Sequence, residues 1–131
     1  MESIRYRSRV LIIGSGLAGC TAALVLADQG HEVSLLTPAD ELVGGNSTMA
    51  QGGIVFVKDK EEARALERDM YVAGHRYNFG KAVRFLATQG GEAVQRILVE
   101  QLRVPSNHRS ADSSDWDLTL EGGHSAPRIL H

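Results

Sequence analysis

Four apolar residues, Val10-Leu11-Ile12-Ile13, run into Gly14-Ser15-Gly16-Leu17-Ala18-Gly19, a G-x-G-x-x-G turn. That juncture allows few folds. It reads as a buried parallel strand turning sharply into a helix, and each glycine has a mechanical task. Gly14 permits the tight turn, Gly16 lets backbone approach a pyrophosphate, and Gly19 lets the helix pack close to the strand. The helix then directs its free N–H groups and positive dipole end at the phosphates. Leu17 to Ala27 continues as a compact helix rich in small residues, Gly30 ends it, and His31-Glu32-Val33-Ser34-Leu35-Leu36 reads as a second strand. A bare G-x-G-x-x-G also arises in ordinary α/β turns. The flanking strand and helix make this one a dinucleotide grip within a β–α–β unit.

The second strand bears on which dinucleotide is held. An adenosine ribose is usually read by an Asp or Glu about 20 residues beyond the first glycine, where this chain has Thr37-Pro38. Ribose recognition then falls to the Thr37 hydroxyl, to backbone, or to Asp40 or Glu41, which read more naturally as part of a solvated loop. The missing acid weakens a simple NAD reading and leaves FAD open. Further on, Gly44-Gly45-Asn46-Ser47-Thr48-Met49-Ala50-Gln51-Gly52-Gly53-Ile54 is dense in backbone amides and short hydroxyls. Such a run suits the pyrophosphate, ribityl chain and ring edge of a flavin, and equally suits a glycine-rich surface loop.

Taken together, Ile12 to Gly19 and Asn46 to Ile54 resemble the flavoprotein group of the L-aspartate oxidases. That group includes the flavoprotein subunits of succinate dehydrogenase and fumarate reductase. Glu121-Gly122-Gly123-His124-Ser125-Ala126-Pro127-Arg128-Ile129-Leu130-His131 resembles the E-G-G-H-S-x-x-R-I-L-H segment of the aspartate oxidases specifically. The resemblance implies an α/β, Rossmann-like FAD-binding domain, with a β-α-β start and additional helices, incomplete relative to the family. It implies FAD contacts from Gly14, Ser15, Gly16, Leu17, Ala18, Gly19, Thr37, Asn46, Ser47, Thr48, Met49, Ala50, Gln51, Gly52 and Gly53. The succinate and fumarate enzymes carry a flavin-linked histidine where this chain has Asn46. An amide nitrogen is not a nucleophile of the required kind, so the implied FAD is non-covalent.

The implied reaction oxidises L-aspartate to iminoaspartate, with hydride passing from Cα to the flavin and O2 or fumarate taking the electrons. It is the first step of de novo NAD biosynthesis, linked functionally to quinolinate synthase. Glu121 stands where the family's acid orients aspartate, pairing with the ammonium directly or through a bridging group. His124 and Ser125 can donate hydrogen bonds to a carboxylate or to the flavin. Arg128 can grip a carboxylate in bidentate fashion or serve a structural ion pair. Two alternatives stay open: a soluble fumarate reductase-like flavoprotein, and a non-catalytic nucleotide-binding or oligomerising module.

The middle of the chain reads as helical cover. Ala63, Leu66, Met70 and Ala73 recur at helical spacing from Lys60 to Ala73, with Glu61, Glu62, Arg64, Glu67 and Arg68 facing out. Asn78 is expected to cap a helix through Val83, Leu86 and Ala87 that Gly90-Gly91 halts, and Glu92 to Leu102 forms another with Val94, Ile97, Leu98 and Leu102 inward. Pro105 to Asp117 reads as an irregular loop anchored by Trp116. Cys20, the single cysteine, is expected to pack as a small buried residue and cannot form an internal disulfide. The five histidines, His31, His75, His108, His124 and His131, lack metal-ligand spacing, so no metal site is expected.

A net charge of −2 gives no electrostatic reason to expect nucleic acid or a membrane surface. The apolar run before Gly14 is too short for a signal-peptide core, and no stretch nears the roughly 20 apolar residues of a membrane span. A cytoplasmic protein is expected. At 131 residues the chain matches one ordinary domain, whereas the family it resembles is several times larger. It is therefore expected to be the N-terminal portion of an FAD-binding domain, without capping or C-terminal helical domains and inactive alone. Open strand edges are expected to promote self-association.

Overall fold

The computed structural model describes residues 7–38, 40, 42, 45–110 and 115–131. Glu41 and Gly44, considered above for the ribose and flavin contacts, lie outside the described residues, as does part of the 105–117 loop. The chain divides into two compact units, Met1–Gln51 and Gly52–His131. No helix among the described residues is long and apolar enough to cross a membrane.

The first unit is the β–α–β start. Strand β1 (Val10–Ile13) leads into helix α1 (Leu17–Asp28), and strand β2 (Val33–Leu36) returns parallel to β1 with Val10 opposite Val33 and Ile13 opposite Leu36. Parallel pairing needs a crossover connection, and α1 supplies it. The helix lies against β1 where Gly19 meets the turn: a Cβ on Gly19 would sit 1.9 Å from the Gly14 carbonyl oxygen and 3.5 Å from Ile12 Cγ2. Gly30, at φ 79°, ends the helix as expected, its amide reaching the Ala27 carbonyl oxygen. The second strand begins at Val33, two residues later than its sequence suggests. Nor is β1 buried on both sides. It alternates, with Leu11 and Ile13 exposed in this two-stranded sheet. Cys20 is exposed too, since α1 buries none of its residues, and its Sγ reaches the Ser15 carbonyl oxygen at 3.2 Å.

The second unit joins a short antiparallel pair to two helices. Strand β3 (Ile54–Val55) pairs with β4 (Ile129–Leu130), and between them run α2 (Lys60–Ala73) and α3 (Gly80–Ala93). Phe56, Val94 and Leu130 form the core, with Ile54, Leu98, Trp116 and Leu118 packed on it. Helix α2 matches its periodicity, burying Ala63 and Leu66. Its start is also written locally. The Asp59 side chain accepts from the amides of Glu61 and Glu62, while Glu62 Oε2 accepts from Lys58 N at 2.9 Å, a variant of the reciprocal capping box. Ala73, at the end of the helix, is exposed rather than inward.

Two sequence expectations, for Asn78 and for Gly90-Gly91, fail in α3 because contacts across the fold override local signals. Asn78 does not cap it; its Nδ2 donates to the Met70 carbonyl oxygen at 3.1 Å and so closes the end of α2, leaving Phe79 at the N-cap of α3. Leu86 is exposed. Gly90-Gly91 does not halt the helix, which runs to Ala93 and continues in π-helical form from Val94 to Gln101, so Glu92 to Leu102 is no separate helix. Of the inward set proposed there, Val94 and Ile97 are buried and Leu102 is exposed. Gly91 is a point of approach: a Cβ there would lie 2.0 Å from the Val57 carbonyl oxygen, whereas one on Gly90 would meet nothing within 4 Å. The 105–117 loop has some order as well. His108 bridges to Trp116, and Trp116 packs edge-on against Phe56, the anchoring role its sequence suggests.

These two neighbouring glycines separate packing from helix propensity. Gly91→Ala is expected to destabilise the protein by about 1–3 kcal/mol through overpacking. Gly90→Ala should stabilise it by up to about 1 kcal/mol, since it only gains helix propensity. Paired urea denaturation curves read both, and equal effects would remove the packing argument.

Candidate functional site

In the first unit the residues of the glycine turn form a cradle. Gly14 carries φ 106°, a conformation that glycine adopts without strain, and its amide donates to the Leu36 carbonyl oxygen at 2.7 Å. Ser15 is buried, and its hydroxyl donates to Thr37 Oγ1 at 2.9 Å, which ties the turn to the end of β2. Gly16 is the N-cap of α1 and provides no side-chain cap; no acid lies in the first turn. The leading amides of α1, those of Leu17, Ala18 and Gly19, have no intrahelical acceptor. Ser47 Oγ accepts from Leu17 N at 3.0 Å and would lie 3.1 Å from a Cβ on Gly16. Any side chain at Gly16 would therefore fill the cradle. Asn46 to Met49 form a 3-10 turn whose Thr48 hydroxyl donates to the Gly45 carbonyl oxygen at 2.8 Å, and Ala50 and Gln51 follow, exposed. Thr37 and Ser47 thus join the glycine turn directly. Asp40 is exposed.

Gly52 and Gly53 open the second unit, and there Gly53 meets the tail. A Cβ on Gly53 would lie 2.8 Å from Ile129 Cγ2, 2.9 Å from His131 Cε1 and 3.4 Å from Glu121 Oε1. The Glu121 carboxylate, half-exposed, sits 3.0 Å from His131 Nε2. The chain turns at Gly122-Gly123, with Gly123 at φ 86° and the His124 amide returning to the Glu121 carbonyl oxygen at 3.2 Å.

Arg128 faces a carboxylate of the chain itself. Its side chain is 1% exposed, and its Nη1 donates to Asp69 Oδ2 on α2 and to His124 Nδ1 at 3.3 Å. A guanidinium only donates, so His124 Nδ1 accepts and a neutral ring keeps its hydrogen on Nε2. Asp69 Oδ2 also accepts from the Ser125 amide at 2.8 Å and the Ser125 hydroxyl at 2.9 Å. Burial pushes the Asp69 carboxyl up. The Ser125 amide, the Arg128 guanidinium and the Ser125 hydroxyl together outweigh that and hold it below its ordinary value of 3.8. Arg128 Nε and Nη2 meet no acceptor among the described residues, so compensation of its charge falls on Nη1.

Of the two roles open to Arg128 from sequence, the geometry shows the internal ion pair. Asp69 was not among the sequence candidates, although a signal for it exists. It lies one turn beyond Leu66 on the packed side of an amphipathic helix, where an acid implies a buried partner. His131 and Thr119, which contact each other and flank Glu121, were also missed as partners. They lack any local signal, because β-pairing alone brings them together.

A strand–glycine turn–helix with a parallel second strand defines a dinucleotide-binding α/β protein. The chain belongs to the FAD binding domain family, whose model matches residues 9–131. It is 38% identical over 122 residues to the L-aspartate oxidase of Halobacterium salinarum, covering 93% of this chain and 23% of that protein. It is 35% identical over 133 residues to the L-aspartate oxidase of Pseudomonas aeruginosa, covering 98% and 24%. The corresponding enzyme of Vibrio cholerae is 37% identical over 131 residues, covering 96% and 24%. The chain spans about a quarter of the length of the curated relatives it matches. An acid-free helix start and a cradle that a single Cβ would fill both fit the FAD pyrophosphate.

Two outcomes follow. Gly19→Ala should weaken FAD binding about tenfold or more, because the methyl forces α1 off the turn; fluorescence titration with FAD measures this. Asp69→Asn should cost about 3–5 kcal/mol by leaving the Arg128 charge buried without its counter-ion. A depressed carboxyl pKa contributes stability that is fully present above the unfolded value of 3.8 and is lost as pH falls through the lower folded value. Acid unfolding curves of the wild type should carry this loss below about pH 4, and those of Asp69→Asn should not.

Proposed function

We propose that this chain supplies the dinucleotide grip and the amino-group contact of an FAD-dependent L-aspartate oxidase. The observation that carries the reading is the packing of Gly53 against Glu121 and His131, which joins the end of the A-Q-G-G segment to the carboxylate suited to an ammonium. The names of the matching relatives support the same substrate.

In this reading the helix start, with Ser15, Ser47 and Thr37 beside it, holds the pyrophosphate and ribose. FAD, when bound, supplies a two-electron acceptor. Oxidation of L-aspartate to iminoaspartate removes the hydrogen at Cα together with one from nitrogen, so the amine must be held still and its charge met. Glu121 does this through its exposed carboxylate. His124 Nε2–H, left free by the contact of Nδ1 with Arg128, is a donor for a substrate carboxylate. Arg128 acts from within, by holding His124 and Asp69. Non-covalent retention follows from Asn46, and reoxidation by O2 or fumarate completes the cycle. The product is the imine that a quinolinate synthase consumes in NAD biosynthesis, which fits a cytoplasmic protein that self-associates through its strand edges.

The test is the visible spectrum of the purified chain after incubation with FAD and desalting, followed by anaerobic titration with L-aspartate. We expect retained flavin bands that L-aspartate perturbs without bleaching and that succinate does not perturb. A response to succinate instead would favour a fumarate reductase-like protein. Retained flavin that responds to neither would leave a nucleotide-binding module.

A further inference from the structure

The Glu121 carboxylate is tethered at one oxygen. His131 Nε2 lies 3.0 Å from Glu121 Oε1 and 3.0 Å from Thr119 Oγ1. A carboxylate accepts only, and the Thr119 hydroxyl is oriented toward the Ile129 carbonyl oxygen at 3.5 Å. Both neighbours of Nε2 are therefore acceptors, so Nε2 carries the hydrogen and shares it. Among the described residues Glu121 Oε2 has no partner.

The ring itself is well founded. His131 directly follows β4, whose Ile129 and Leu130 are buried, and its carbonyl oxygen accepts from Asn107 N at 2.7 Å. Gly53 closes the other side, since any Cβ there would collide with Ile129 Cγ2 and His131 Cε1. The His131 backbone is thus held by Asn107 while Gly53 borders its ring, and the imidazole in turn holds one oxygen of the Glu121 carboxylate.

We propose that His131, seconded by Thr119, is a positioning residue for an ammonium-binding site. It occupies Glu121 Oε1 and presents Oε2 to the charged amino group of an amino acid. The proposal rests on the reading in which Glu121 faces the substrate amine. A long, half-exposed glutamate otherwise loses side-chain freedom on binding, and holding it beforehand removes that cost from the ligand's affinity.

The experiment uses the purified chain with FAD added and compares wild type, His131→Leu and His131→Gln, the last of which keeps an N–H donor. Side-chain three-bond couplings of Glu121, measured by NMR without ligand, report its rotamers. Titrations with L-aspartate and with succinate, which has both carboxylates and no amine, isolate the ammonium contact. We expect one Glu121 rotamer in the wild type, averaging in His131→Leu, and recovery in His131→Gln. L-Aspartate affinity should fall about fivefold to tenfold in His131→Leu while succinate affinity stays unchanged. Averaged couplings in the wild type, or equal weakening of both ligands, would overturn the proposal. A fixed Glu121 released by His131→Leu, with no preference for aspartate in the wild type, would sustain the tether and overturn instead the assignment of Glu121 to an amine.

Discussion

Burying Arg128 obliges the second unit to be built around its charge. A guanidinium removed from water is tolerable only with a counter-ion and hydrogen bonds in good geometry. Asp69 provides them from α2, and the same oxygen gathers the Ser125 amide and hydroxyl. The Arg128 backbone is equally engaged, its amide reaching the Thr119 carbonyl oxygen at 3.1 Å and its carbonyl oxygen accepting from Phe56 N at 2.7 Å. One residue therefore joins α2, the strand pair and the turn after Glu121. Removing the charge pair would therefore loosen all three at once.

The glycines of this chain act mostly through proximity. Gly19 brings α1 onto the Gly14 carbonyl, Gly91 brings α3 onto the Val57 carbonyl, and Gly53 admits the tail of the chain. In the first two cases the atom met is a backbone oxygen, which cannot rotate away as a side chain would. The same physical device thus seats a helix on a glycine turn in one unit and on a loop backbone in the other. It also explains why paired glycines mislead. Gly90-Gly91 looks like a helix stop because glycine is a poor helix former, yet close packing of Gly91 on the Val57 backbone outweighs the lost propensity.

What the sequence made legible was local. The β–α–β start could be read because strand, turn and helix follow each other within some thirty residues, and each is signalled by its own period or glycine. The span of helix α2, Lys60–Ala73, could be read from its period, although the Asp59 cap at its start and the Asn78 contact at its end were not. The failures were pairings at a distance. Asn78 had two helix ends within reach, and only the fold decided that it would serve the earlier one. Asp69 and Arg128 are 59 residues apart in sequence, and nothing near either names the other. Glu121 was visible as a candidate through its motif, while its partner His131 required the isolated antiparallel bridge of Thr119 with Ile129, which is too short to carry a periodic signal.

The tail motif can now be divided by what each residue faces. Arg128 is buried against Asp69, and the exposed Ser125 donates to the same carboxylate oxygen. Glu121 and His131 stay partly in solvent, and one carboxylate oxygen is left over. A ligand can gain affinity only from groups that the fold has not already satisfied, since a donor or acceptor engaged internally must first be released. By that criterion Glu121 Oε2 keeps its capacity to accept, while the two donors left over on Arg128, Nε and Nη2, are closed off by burial. The tail thus combines a buried arginine that holds its position with an exposed carboxylate that still has an acceptor to offer, and the turn at Gly122-Gly123 separates Glu121 from the contacts of Ser125 and Arg128 with Asp69.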